Sequence, residues 1–241
     1  INGQRESNVK KLILAFGLLY LACCSFAQKT ERVMDLLLTM DSIANSSSVS
    51  KYFAGIYLET TVEAVDYFSQ KNTRAQELIE RLEVRFAHYF FRSAIAYQNK
   101  LPVHEEWKAY YADSTATPLR YILYGINAHI NGDIWQALVA EFSAGEIEEL
   151  KPYYFLYRKE LLKNYKNYYA DALASNPKMR TIHAASFGFD KLYGKILLGR
   201  WRKRQMELAE LYFTNRSLFE KKKEKLHRRM NRLNELIRKN I

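Results

Sequence analysis

The chain has 241 residues, a formal net charge of +11, 48% apolar residues and 14% aromatic residues. This is a globular composition, because disordered chains are poor in aromatic and β-branched residues. Two cysteines exclude a disulfide-stapled scaffold, and nine glycines with four prolines argue against many short strands joined by tight turns.

Residues 1–27 read as a secretory signal peptide. Arg5, Lys10 and Lys11 form a basic start, Leu12 to Cys24 is an uncharged and largely apolar run, and Ser25-Phe26-Ala27 puts small residues where a cut after Ala27 needs them. The run is shorter than the roughly 20 apolar residues a spanning helix needs. Leu21-Ala22-Cys23-Cys24 falls short of a lipobox, since Cys23 stands where a small residue is wanted, so lipidation is the weaker reading. The expected destination is the periplasm or the extracellular space. Such a cut removes Cys23 and Cys24, so the mature chain could hold neither a disulfide nor a thiolate site.

Beyond residue 27 the apolar pattern is helical, and no stretch alternates as a strand does. The spacing predicts helices over 30–44, 48–70, 73–99, 103–112, 118–143, 152–174, 189–213 and 216–239. Ser46-Ser47-Ser48 makes a polar break. Asn72 and Thr117 are capping residues, the latter followed by Pro118 at a first helical position. Pro102, Pro152 and Pro177 are expected at breaks, and 175–188 reads as the longest irregular stretch. The expected architecture is all-α: a single multi-helix orthogonal or antiparallel bundle, with short connections favouring antiparallel neighbours. Residues 28–213 would form its body and 214–241 a basic amphipathic C-terminal helix. The tyrosines at 110–111, 153–157 and 165–169 are expected to pack at helix junctions, with lining of a ligand groove as the alternative.

The segment Pro118 to Leu138 carries most of the chemical interest. Leu119, Ile122, Leu123, Ile126, Ile130, Ile134 and Leu138 make an apolar stripe. His129 and Asp133, four apart, sit on one flank, and Asn127 and Asn131, also four apart, sit on the other. Gly125 and Gly132 interrupt the helix at roughly 1 kcal/mol each, which points to close approach of another backbone or room for a ligand. Polar groups beside a buried stripe must be hydrogen-bonded or they cost stability. Two readings stay open. Either these side chains lock helix packing, or Asp133 orients His129 as a general base in hydrolysis or as a metal ligand, with Asn127 and Asn131 binding ligand. Glu59, Asp66, His88 and His183 are further contributors to such a site, Glu59 and His88 as ligand-binding residues. Neither a metal nor any other cofactor is specified. The G-x-S-x-G, H-E-x-x-H, Walker A and G-x-G-x-x-G motifs do not occur.

The string Asn127-Ala128-His129-Ile130-Asn131-Gly132-Asp133 resembles the signature of domain-of-unknown-function family 5995. The resemblance extends over roughly 45–213, through Lys51-Tyr52-Phe53 and Tyr57-Leu58-Glu59-Thr60-Thr61, Arg85-Phe86-Ala87-His88-Tyr89-Phe90, Trp107, and Trp201-Arg202 with Leu208-Ala209-Glu210-Leu211. Ile134-Trp135 departs from the Leu-Pro that succeeds the motif in the family pattern. The resemblance implies an all-helical domain with a polar motif on a central helix, and no reaction.

Charge is unevenly placed. Residues 28–194 are nearly neutral at −1, whereas 195–241 carry +10. One basic cluster is Arg200, Arg202, Lys203 and Arg204; the other runs from Lys221 to Arg232. On 216–239, Phe219, Leu226, Met230, Leu233 and Ile237 form an apolar stripe. That helix is expected to dock by its stripe and present its charges to solvent, or to an anionic membrane or envelope surface. Nucleic acid is the weaker partner for an exported protein, and the oligomeric state is open. Two functions are compatible with these residues: a ligand-binding or hydrolytic module centred on His129 and Asp133, or a non-catalytic envelope protein whose motif is structural.

Overall fold

The computed structural model describes residues 31–187 and 189–241. The expected signal peptide lies outside the described residues. Among the described residues are ten α-helices, in order α1 Glu31–Ala44, α2 Lys51–Ser69, α3 Thr73–Gln98, α4 Lys108–Ala112, α5 Pro118–Ile126, α6 Ile134–Glu141, α7 Ala144–Ser175, α8 Pro177–Ala185, α9 Phe189–Thr214 and α10 Arg216–Asn240. A 3₁₀ turn, Glu105–Trp107, precedes α4, and a π-helical segment, Asn127–Asp133, joins α5 to α6. No strand occurs among the described residues, and the helices pack as one bundle.

Local chemistry accounts for most boundaries. Asn72 accepts the Ala75 N–H at 2.7 Å and opens α3. Thr117 accepts the Arg120 N–H at 3.2 Å, with Pro118 at the first position of α5. Four expectations are corrected. The helix predicted from residue 152 begins at Ala144, because Ser143 and Glu146 form a reciprocal capping box. Pro152 lies inside α7, forgoing one hydrogen bond, while Ile147, Leu150, Tyr154, Tyr157 and Leu161 keep one continuous buried stripe past it. The stretch expected to be irregular, 175–188, contains α8: Asn176 caps the Lys178 and Met179 N–H groups, and Pro177 takes the first position. The helix predicted over 103–112 is a 3₁₀ turn succeeded by five α-helical residues.

The π segment is the centre of the bundle. It touches α3, α5, α6, α9, α10 and the 3₁₀ turn, so every side chain in it except Ile130 is buried. Both glycines beside it are required by close approach. A Cβ on Gly125 would stand 2.4 Å from the Phe53 ring, and one on Gly132 would stand 2.2 Å from Glu106 Cγ. The approaching groups are side chains from α2 and the 3₁₀ turn. The stripe of α10 is buried as expected, with Phe219, Leu226, Met230 and Ile237 each under a tenth exposed.

Candidate functional site

The predicted single helix over 118–143 is interrupted by the π segment, and this changes what its polar residues do. A π turn inserts one residue into the α-helical ladder, shifts the register of the downstream helix and frees a backbone group; such insertions concentrate at functional sites. One such group, the Trp135 N–H, is taken up by Gln205 Oε1 of α9 at 3.3 Å.

The two polar pairs divide by role. Asn127 donates to the Met230 carbonyl at 3.0 Å and to Asn234 Oδ1 at 2.8 Å, and Asn131 donates to Asn127 Oδ1 at 2.9 Å. These asparagines fasten α10 to the centre of the bundle. His129 and Asp133 face the other way. Asp133 Oδ2 lies 3.0 Å from His129 Nδ1 and accepts the Trp107 indole N–H at 3.0 Å. When Asp133 is ionised it can only accept, so Nδ1 then carries the proton and donates it, leaving the Nε2 lone pair free. The imidazole lies flat on Phe86, ring centres 3.4 Å apart, with the edge of Tyr57 at 4.2 Å. Burial pushes His129 down and the nearby Arg202 charge pushes it further. Burial also pushes Asp133 up, against the Trp107 hydrogen bond. Both directions disfavour an imidazolium–carboxylate pair and keep the ring neutral.

His129 Nε2 has no hydrogen-bond partner, and the residue lines a cavity of about 650 Å³. The volume falls in the range of small-molecule sites. The walls come from α2 (Phe53, Ile56, Tyr57, Thr60), α5 (Leu123, Ile126), α7 (Tyr157, Leu161, Tyr165, Tyr168), α9 (Tyr193 to Arg202) and α10 (Leu233, Leu236, Ile237). The wall is apolar almost throughout. Its closed end holds His129 and Arg202, each 3% exposed, and its outer end reaches Tyr193 and Leu236, which are 62% and 52% exposed. The tyrosines thus serve both expected purposes: Tyr110 and Tyr154 fill junctions, while Tyr157, Tyr165 and Tyr168 line the cavity.

The sequence places Arg202 in a basic cluster with Arg200, Lys203 and Arg204, and the structure sets it apart from them. Arg202 is buried, with its guanidinium over the rings of Tyr154 and Tyr157 at 4.9 and 4.5 Å. Glu83, not singled out from the sequence, is 1% exposed, and neither of its carboxylate oxygens has a hydrogen-bond partner. Burial pushes its carboxyl up to about 7, against the opposing pull of Arg202 and the Tyr157 hydroxyl. The readable signal was register: Ile79, Glu83, Phe86 and Phe90 share one helix face, as do Leu198, Arg202, Met206 and Ala209.

The other sequence candidates are not brought to His129. His88 is exposed on α3. Glu59 is exposed on α2, with its carboxyl raised by burial and by Glu63 and Asp171. Asp66 is exposed further along α2, and His183 contacts Tyr169 and Asp190 in α7–α9. No group of three His, Cys, Asp or Glu side chains among the described residues is placed to hold a metal ion. No helix among them is long and apolar enough to cross a membrane.

Compared with known protein families, residues 30–240 match the model of a family of unknown function, DUF5995. The chain belongs to this family. The match includes α10, in keeping with the part that helix plays in the cavity wall. No curated protein and no solved structure matches the chain.

Proposed function

We propose that this DUF5995 member binds an elongated, largely apolar small molecule in the cavity, with the molecule's polar end against His129. The observation that carries this reading is His129, a buried imidazole in the cavity lining whose Nδ1 is bonded to Asp133 and whose Nε2 has no protein partner. A buried polar atom without a partner costs free energy, and a bound group would recover it. The experiment is a fluorescence titration with N-phenyl-1-naphthylamine, an uncharged apolar probe. Saturable enhancement is expected, and Leu197→Trp, which fills the cavity from α9, should abolish it. Absence of saturable binding by the unaltered protein overturns the reading.

The same nitrogen favours hydrolysis as the chemistry of a bound ester. His129 Nε2 would take a proton from water as its oxygen bonds to the acyl carbon. The carbon–alkoxide bond then breaks and the imidazolium returns the proton to the leaving alcohol, with Asp133 holding the ring throughout. Among the described residues the cavity wall has no serine or cysteine, and the hydroxyl of its threonine, Thr60, is donated to the Ile56 and Tyr57 carbonyls, so water is the nucleophile in this scheme. Release of 4-nitrophenol from 4-nitrophenyl dodecanoate, lost in His129→Gln, tests it.

Contact with an anionic surface is the second reading. Lys221, Lys225, Arg229 and Arg232 are exposed on α10 and form no ion pair among the described residues, whereas Arg216, Lys223, Arg228 and Arg238 are paired to glutamates of the same helix. Because α10 walls the cavity, the clean test is replacement of those four by Gln and co-sedimentation with phosphatidylglycerol vesicles. Unchanged sedimentation removes the reading. Export to the periplasm or beyond belongs to this proposal and is tested by fractionating cells that express the whole chain.

A further inference from the structure

The closed end of the cavity holds a cation without a counter-ion in contact. Arg202 presents a planar cationic guanidinium. Its Nε has no hydrogen-bond partner, and no ion pair reaches the guanidinium among the described residues. Two ring faces hold it in place. Buried charges are ordinarily paired, because desolvation otherwise costs several kcal/mol. The one buried carboxylate close enough to influence Arg202 is Glu83, and it forms no ion pair with the guanidinium; its oxygens make no well-aligned hydrogen bond, although the nearby Tyr157 hydroxyl pulls its carboxyl down. His129 and Tyr57 line the cavity beside Arg202, and the His129 Nε2 and the Tyr57 hydroxyl are both buried and unpartnered. From there the cavity runs between apolar walls to exposed Tyr193 and Leu236.

We infer that the ligand is a single-chain amphiphile with a carboxylate head, bound head-inward: the carboxylate pairs with Arg202 and the alkyl chain runs along the apolar wall toward Tyr193 and Leu236. The inference rests on the reading of the cavity as a small-molecule site and adds the head group and the orientation. A carboxylate matches the planar fork of a guanidinium and supplies the missing countercharge. The unpartnered Tyr57 hydroxyl can donate to the same head. An alkyl chain suits walls of leucine, isoleucine and aromatic rings, and each added methylene should tighten binding about fourfold while the wall lasts.

The test is a head-group series on the unaltered protein at pH 8, monitored by calorimetry and by the fluorescence of Trp201, which lines the cavity. Dodecanoate should bind at least tenfold tighter than dodecan-1-ol, and dodecyltrimethylammonium should be excluded. Arg202→Met should erase the preference for dodecanoate, and Glu83→Gln, which removes a competing anion, should strengthen it. Equal binding of acid and alcohol, or full preference kept in Arg202→Met, overturns the inference. If N-phenyl-1-naphthylamine and dodecan-1-ol bind while dodecanoate does not, the head-group assignment fails and the cavity reading stands. If none of the three binds, both fail. The head-group series needs no variant, so misfolding of Arg202→Met would leave the inference open to refutation.

Discussion

Two buried glutamates flank the π segment, and they are treated differently. Glu106, beneath Gly132, meets His104 Nδ1 at 2.6 Å and His227 Nε2 at 3.4 Å, and accepts from Gln136 at 3.3 Å. Burial alone would raise its carboxyl, but His104 and His227 outweigh burial and hold it below the usual range. Glu83, on the Arg202 side of the segment though not in the cavity lining, has no such charge partners, and its carboxyl rises to about 7. Arg202 and His129 Nε2 are left unpartnered on that same side. The difference is one of charge partners: Glu106 has two histidines within ion-pair distance, although its Oε2 and the two histidine nitrogens make no well-aligned hydrogen bond, whereas no cation comes within that distance of Glu83 among the described residues, and a buried ionisable group without a charge partner marks a place where something else can bind.

The largest expected effect separates the two glutamates by pH. A carboxyl raised from 4.5 to about 7 in the folded state contributes stability that is complete below 4.5 and lost as pH rises through 7. Unaltered protein should therefore lose about 3 kcal/mol relative to Glu83→Gln between those limits, with the difference flat above pH 7. His129, whose shift is downward, contributes in the opposite direction, but it is common to both proteins and cancels in the difference. Urea unfolding at a series of pH values reads the curve directly. A difference independent of pH would mean that Glu83 finds a partner in solution, and the contrast with Glu106 would dissolve.

Glu106→Gln should act with the opposite sign. It removes charge-assisted contacts with His104 and His227, and a loss of about 2 kcal/mol at pH 6 is expected. Because the Glu106 carboxyl is lowered, its contribution is present above 4.5 and disappears as pH falls below that value. Unfolding midpoints of Glu106→Gln and unaltered protein should therefore converge in acid. A neutral or stabilising outcome at pH 6 would show that the pairing seen beneath Gly132 is not what holds α10 there.

Much of the fold was legible because it depends on local signals. Asn72, Thr117 and Pro118 announce their helices by capping chemistry, and the α10 stripe from Phe219 to Ile237 announces a docked face. The capping box at Ser143 is equally local but was not read, and Pro152 was placed at a break, although buried packing overrides one missing hydrogen bond. The split of the motif into a fastening pair and a cavity-facing pair was legible as two flanks of one helix. What each flank would face was not, because Met230, Asn234, Trp107 and Phe86 arrive from distant segments. The π register itself has no marker in the residues. Arg202 was hidden by its neighbours: among Arg200, Lys203 and Arg204, only its place on the face of Leu198 and Met206 distinguishes a buried cation from exposed ones.

The smallest effect is the most diagnostic of the comparison. Arg202→Met replaces a buried, unpaired cation with an apolar side chain of similar length that can still lie on Tyr154 and Tyr157. Where a buried charge has no partner, such a replacement is neutral or stabilising. The expected change in unfolding free energy is within about 1 kcal/mol of zero, on the stabilising side. Glu83 loses the charge that held its carboxyl down, so it stays protonated to higher pH and adds no new buried charge at neutrality. A loss of about 3 kcal/mol or more would be the signature of a broken buried pair and would place Arg202 with Glu106, among the groups that hold the bundle together. Stability retained together with loss of dodecanoate binding would mean that the charge is kept at a cost to the fold for the sake of what it binds.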